Sequence, residues 1–337
     1  MKTVILVLLL GGAAESPKAP EGQGSPDGPW LRPGKAGDPL IWGRRDGIIF
    51  GLPSPGGLPG PRGLIRTGIV DPARGPILIN FIAFEPVVAG KGKGFSELEG
   101  SALDGRRGKR LRAEGPVEGV LATENGVEAL RVTVACEAFA NGARVEAEAR
   151  VRADRPGELV LSVTTGPESA SVAQATLTAT MGNYGRMRRL WLARRQVSSL
   201  DLYAGYGGTD FVEKEPFLLA DLARAAGGDV WAALRSDEDD PASVPIPGAP
   251  AWQYRGPPLT QYWRVPAVDV EPDLHVRVNG RRVYWASKRE IPGGPSFENF
   301  EVRQRYRRGQ RFIFGLTRER PEALAPWRPV DPPFPAR

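Results

Sequence analysis

Glu85, Tyr262 and Arg66 are the side chains whose type and setting could do chemistry. Glu85 closes the apolar run INFIAFEP, where loss of water would raise its pKa toward that of a proton donor; a strand-end carboxylate paired with an arginine is the plainer reading. Tyr262 lies in WQYRGPPLTQYWR, close to Arg264, and a neighbouring guanidinium would lower the phenol's pKa and make it a proton-abstracting base. Arg66 would then neutralise the carboxylate of a uronate, so that the proton beside it becomes acidic and elimination follows. Asp46, Glu298 and Glu301 also stand beside aromatic residues or arginines, and two carboxylates at the right separation would form a glycosidase pair.

A second set suits binding. Arginine and aromatic residues interleave around Trp42, Arg44 and Arg45, in NYGRMRRLW with Tyr184 and Arg186, and in WQYRGPPLTQYWR with Tyr254, Trp263 and Arg264. Arg62 adds a cation in the loop GLPSPGGLPGPRG, and His275 shares the polar phase of its strand with Arg277. Flat rings pack on the C–H faces of sugars, while guanidinium forks grip carboxylate or sulfate groups. The same residue types are also ordinary cross-strand material in a β-sheet.

Several chemistries fall away. His275 is the single histidine and Cys136 the single cysteine, so a His-rich zinc site, a Cys/His cluster and an intrachain disulfide are all excluded. No Gly-x-Ser-x-Gly elbow accompanies the histidine, which removes the usual serine hydrolase arrangement. Cys136 continues the alternation of Leu130, Val132 and Val134 and reads as a small buried hydrophobe. The acidic run 237–240 could offer oxygen ligands to calcium, but it lacks EF-hand spacing and reads first as a solvated loop, so no metal site and no cofactor is assigned. The Gly/Pro loop is followed by β-type residues rather than a helix, so it is neither a phosphate cradle nor, with two Gly-x-y triplets, a collagen segment. The formal net charge of +6 favours an acidic partner. The arginines are scattered along strands and no RNA- or DNA-binding motif appears, so nucleic acid is not the expected one.

The elements that must position these residues are strands. Residues 1–14, MKTVILVLLLGGAA, have the lysine, apolar run and small residues of a secretory signal cleaved near Ala14, too short for a permanent membrane span. Residues 15–38 have a linker's composition, and residues 39–337 a single domain's. From residue 117 to 165 apolar and polar residues alternate with period two around Asn125-Gly126, Asn141-Gly142 and Arg155-Pro156-Gly157, which predicts a four-stranded antiparallel meander. Asn279-Gly280 predicts another hairpin turn, and residues 216–226 with their leading proline and trailing glycines predict one short helix. Many strands, little helix and no βαβ alternation predict an all-β fold: one large antiparallel two-sheet β-sandwich with long Gly/Pro loops.

At the level of fold class this pattern resembles the large sandwiches of polysaccharide lyases and mutarotase-like sugar proteins, a resemblance that carries no residue across. The expected function is that of a secreted protein, periplasmic or extracellular, binding a glycan and most of all an acidic polysaccharide, with lyase-like or hydrolase-like processing as its enzymatic form. The expected surface contains the stretch from residue 40 to 86. The alternative is a non-catalytic structural or protein-interaction component of the cell envelope.

Overall fold

Two ten-stranded antiparallel sheets, packed face to face, form the computed structural model of this protein. It describes residues 28–35, 38–52, 65–73, 75–93, 117–136, 138–180, 186–238, 258–284 and 288–328. Sheet A runs in the order β1 (Trp30–Leu31), β2 (Ile41–Arg44), β3 (Ile48–Gly51), β4 (Ile65–Asp71), β5 (Gly75–Val88), β11 (Val172–Thr180), β19 (Ser296–Arg305), β18 (His275–Arg281) and β14 (Glu215–Leu218), with β6 (Gly92–Lys93) beside β5. Sheet B runs β13 (Gln196–Ser198), β12 (Met187–Trp191), β16 (Val230–Ser236), β17 (Thr260–Val265), β20 (Arg311–Thr317), β10 (Arg155–Thr165), β9 (Val145–Arg152), β8 (Val127–Ala135) and β7 (Gly119–Glu124), with β15 (Ala223–Arg224) beside β16. The expected all-β two-sheet sandwich is therefore the observed fold.

Period-two alternation decides which side chains meet between the sheets. Leu130, Val132 and Val134 of β8, Val145, Ala147, Ala149 and Val151 of β9, and Leu159, Leu161 and Val163 of β10 all enter the common core. From sheet A the core receives Ile82 and Phe84 of β5, Leu177 of β11, Phe300 and Val302 of β19, and Val276 and Val278 of β18. Burial of such side chains contributes roughly 1.5–3 kcal/mol each, the main driving term in a chain without a disulfide. A smaller apolar cluster lies on the outer side of sheet B, where Trp191, Trp231, Tyr262 and Leu324 pack together with Trp327.

Local details correct several expectations. Asn125 and Gly126 both have positive φ, 50° and 79°, and make the expected tight turn between β7 and β8. Asn141-Gly142 does not: Asn141 is buried, and its side-chain amide donates to the carbonyls of Pro86 at 2.7 Å and Gly92 at 3.1 Å. The connection is thus a wider loop bolted to β5. Asn279-Gly280 lies inside β18 at a bulge, because a Cβ on Gly280 would meet the Ser296 carbonyl at 2.6 Å and the Tyr203 ring at 2.7 Å. The turn between β9 and β10 precedes Arg155, and Pro156-Gly157 falls in a register shift of β10.

The expected helix at 216–226 is strand β14, a short 3-10 turn at Leu219–Asp221 and strand β15. Phe217 is buried while Leu218 is 62% exposed, a strand's alternation, and pairing with β18 satisfies the backbone instead of a helix. Among the described residues the α-helix is α1 (Ser199–Leu202), capped by Ser198, whose Oγ accepts from the Leu200 amide at 3.2 Å. Within the stretch expected to be a linker, Trp30 in β1 is buried and pairs opposite Arg44. Cys136 packs partly buried against the core, and burial together with the Glu146 charge raises its thiol to about 12, as suits a filler. Among the described residues no helix is long and apolar enough to cross a membrane.

Candidate functional site

On the four central strands of sheet A, the side chains that alternate with the core residues form polar rows across the outer face. Glu85 of β5 pairs opposite Thr176 of β11, Thr176 opposite Arg303 of β19, and Arg303 opposite His275 of β18. Two residues along, Ala83, Thr178, Glu301 and Arg277 make the next row. The third contains Phe81, Thr180, Asn299 and Asn279, and Arg66 of β4 sits opposite Phe81. Because the pleat assigns sides, a one-residue slip in any of these strands would send its polar residues into the core.

The floor of this face holds two carboxylates. Glu85 is 1% exposed and ion-paired with Lys93 of β6 at 2.9 Å. Glu301 is fully buried, takes a hydrogen bond from Lys214 and lies 3.8 Å from Arg277 Nη1. Two strands and two residues separate the carboxylates, about 12 Å between their Cα atoms on ordinary strand spacing. Each is closed by its own lysine, so they do not form one acid–base couple. Thr176 Oγ1, Thr178 Oγ1 and Glu301 Oε2 are buried there without a hydrogen-bond partner among the described residues. Buried polar atoms of that kind ordinarily meet water or a ligand group.

Cations stand above that floor. Arg303 Nε donates to Gln174 Oε1 at 2.9 Å, and Gln174 Nε2 donates to Asp273 Oδ2 at 3.2 Å. Burial draws Arg277 and Arg303 below the ordinary arginine value, and the Glu85 charge acts on both in the opposite sense. His275 Nδ1 lies 2.8 Å from the Asp273 carbonyl, so it carries the proton and leaves Nε2 as the acceptor nitrogen. Burial, with the Arg303 and Arg277 charges, holds this imidazole below its ordinary value. Its unfolded form takes up a proton near pH 6.5 and its folded form only at lower pH. In that window the unfolded chain binds more protons, so stability falls as pH falls from about 6.5 toward the folded value, and is unaffected above it. Thermal melts across pH 5–8 are expected to show this slope in the native chain, reduced in His275→Gln; an unchanged slope in the variant would refute it.

The remaining predicted residues are scattered. Trp42 and Trp263 are each 1% exposed inside the core, Trp42 stacked on Phe50 and Trp263 donating to the Phe300 carbonyl at 2.8 Å, so neither is a stacking platform for a sugar. Tyr262 and Arg264 lie on the other sheet, on its outer side: both bond buried Glu158, and Arg264 also reaches Asp229 at 2.7 Å. Burial and the Glu158 charge hold the Tyr262 phenol well above its ordinary value, the opposite of a poised base. It stays protonated and donates to Glu158 at 3.1 Å. Arg44 makes a two-point ion pair with Asp46, at 2.7 and 2.6 Å, over the Trp30 ring. Arg45 lines a separate cleft of about 500 Å³ with Arg318, where the β2–β3 turn meets the ends of β10 and β20. Arg186 joins Arg188 and Glu238, and Asp237 contacts Arg188, so the start of the acidic run is engaged by arginines; Asp239 and Asp240 lie outside the described residues. Arg62, Tyr184 and Tyr254 lie outside the described residues.

Glu85, Arg66 and His275 thus share one face of one sheet, and Arg44, Arg45, Tyr262 and Arg264 do not join them. Arg277 and Arg303 had not been singled out as site residues. Their signal was the strand phase of HVRVN and FEVRQ, which places Arg277 with His275 and Arg303 with Glu301. No family model, curated protein or solved structure matches this chain, so the meaning of this face rests on its own residues.

Proposed function

We propose that this is an exported protein that binds an acidic glycan along the outer face of sheet A. The observation that carries the reading is the stack of rows in which half-buried Arg277 and Arg303 stand beside His275, with Arg66 across the sheet on β4, over a floor whose carboxylates, Glu85 and Glu301, are already neutralised by Lys93 and Lys214. A cationic layer over a neutral floor favours carboxylate or sulfate groups, and the threonine and asparagine side chains between them suit hydroxyls. The basic net charge and the signal-like residues 1–14 fit an acidic polymer met outside the cytoplasm.

Affinity electrophoresis and calorimetry with polygalacturonate, alginate and a neutral glucan test this. The native chain is expected to bind a polyuronate in a salt-dependent way and the glucan weakly. Arg277→Ala and Arg303→Ala are each expected to weaken polyuronate binding about tenfold, the worth of one charge-assisted hydrogen bond. No polyuronate binding, or binding indifferent to both arginines, would sink the reading and favour a protein partner. The neutral imidazole of His275 beside two arginines also has the parts needed to remove a proton next to a neutralised carboxylate. Unsaturated uronates accumulating on incubation would extend the function to elimination, and their absence would confine it to binding.

A further inference from the structure

Away from that face, two arginines are held by a single carboxylate. Arg186 and Arg188 flank Met187 at the start of β12 and are 8% and 2% exposed. Glu238, just past the end of β16, gives one oxygen to each: Oε1 accepts from Arg188 Nη1 at 2.7 Å, and Oε2 accepts from Arg186 Nη2. Asp237 lies 3.3 Å from Arg188 Nη1. The other nitrogen of Arg188 donates to the carbonyls of Pro292 and Gly294, and its guanidinium lies on Gly293, where a Cβ would sit 3.0 Å from Nη2. Tyr284 is buried close enough for both arginines and Glu238 to act on its phenol.

Three features separate this arrangement from a structural ion pair. Among the described residues the Nε donors of both arginines are buried with no partner, so the carboxylate present leaves part of each fork unused. Arg186 has φ of 42°, a left-handed conformation that a non-glycine residue adopts at a cost and that recurs at ligand sites. Glu238 is the solvent-facing member, with 31% of its side chain exposed against 10% and 3% for the arginines, so an incoming anion would approach from its side. We infer that Arg186 and Arg188 form a carboxylate-binding site that Glu238 occupies in the free protein as an internal stand-in, and that a ligand carboxylate displaces it. The ligand is either a sugar acid or a small organic acid, since both carry the planar group that two guanidinium forks recognise. The site depends on the acidic-glycan reading only in the choice of a uronate as probe.

Calorimetry of the full chain with sodium glucuronate, sodium acetate and neutral glucose tests it. The native protein is expected to bind glucuronate weakly, and Glu238→Gln, which keeps the shape and removes the competing charge, to bind it at least tenfold more tightly. Arg188→Lys in the Glu238→Gln background is expected to lose that gain. Glucose should bind neither form. Glucuronate binding more tightly than acetate assigns the site to sugar acids, and equal binding assigns it to simple carboxylates. Equal glucuronate affinity in the native and Glu238→Gln proteins would overturn the inference. Because removing Glu238 takes from Arg186 its carboxylate and leaves Arg188 only Asp237, Glu238→Ala is melted in parallel in acetate and in chloride of equal ionic strength. Acetate is expected to raise the variant's melting temperature and not the native protein's, and no rescue also overturns the inference. The two readings fail separately: Arg277→Ala and Arg303→Ala act on uronate binding at sheet A, whereas the ratio of glucuronate affinities between the Glu238→Gln and native proteins and the acetate rescue report on Arg186 and Arg188.

Discussion

Arg264→Ala is expected to lower the stability of this protein by about 3–5 kcal/mol, the cost of leaving a buried charge without its partner. Arg264 lies across the outer side of sheet B over the Trp231 ring, 5.4 Å from its centroid, with Glu158 at 3.1 Å from Nε and Asp229 at 2.7 Å from Nη1. Glu158 is 5% exposed, and its other contacts are the Tyr262 hydroxyl at 3.1 Å and the largely exposed Arg155 at 3.5 Å. Removing Arg264 therefore leaves buried Glu158 with only the Tyr262 hydroxyl and the largely exposed Arg155, and drops the Trp231 ring's cationic neighbour. Urea titration of the variant measures the loss, and a change below about 1 kcal/mol would show that the network is worth no more than an exposed pair. The double variant Arg264→Leu with Glu158→Leu should recover most of the loss, because the buried charge disappears with its partner.

Gly68→Ala is expected to cost about 3 kcal/mol, the upper range for forcing extra atoms into a packed site. A Cβ at Gly68 would lie 1.8 Å from the carbonyl oxygen of Ile77, within the paired backbone of β4 and β5 where their register shifts. No side chain can move aside to make room, so the bulge itself must open, and with it the placement of Arg66 and Thr67. Gly315 makes an instructive contrast: its added Cβ would meet the Tyr262 ring at 1.9 Å, an obstruction that belongs to a side chain. Chemical denaturation of Gly68→Ala checks the expectation, and near-native stability would mean that β4 and β5 pair without the bulge.

Strand phase was legible in the sequence, whereas the register between strands was not. The alternation of Leu130, Val132 and Val134 and the Asn125-Gly126 turn are local, and both stand in the structure as expected. The row of Glu85, Thr176, Arg303 and His275 joins strands from three separate parts of the chain, and only their pairing brings those residues together. Interleaved arginine and aromatic residues misled for a related reason. In QYWRV the strand turns Tyr262 and Arg264 outward and Trp263 into the core, so neighbours in sequence face opposite ways. Asn279-Gly280 shows the same limit from the other side: the dipeptide suits a turn, yet the close approach of Tyr203 and the Ser296 carbonyl uses the missing Cβ inside a strand.

The positions of β19 and β20 bear on how such a chain comes to be folded at all. β19 lies between β11 and β18, and β20 between β17 and β10, so both strands sit inside their sheets rather than at an edge. Until residues 296–317 have left the ribosome, each sheet is two fragments, and β11, β18, β17 and β10 each present an unpaired side. For β10 and β11 those partners lie far along the chain, as in the pairing of Leu159 with Phe314 and of Thr176 with Arg303. Closure is therefore a late, long-range event, slow beside folds made of neighbouring hairpins, and the nascent protein passes through a stage with open strand edges at which chains can join one another.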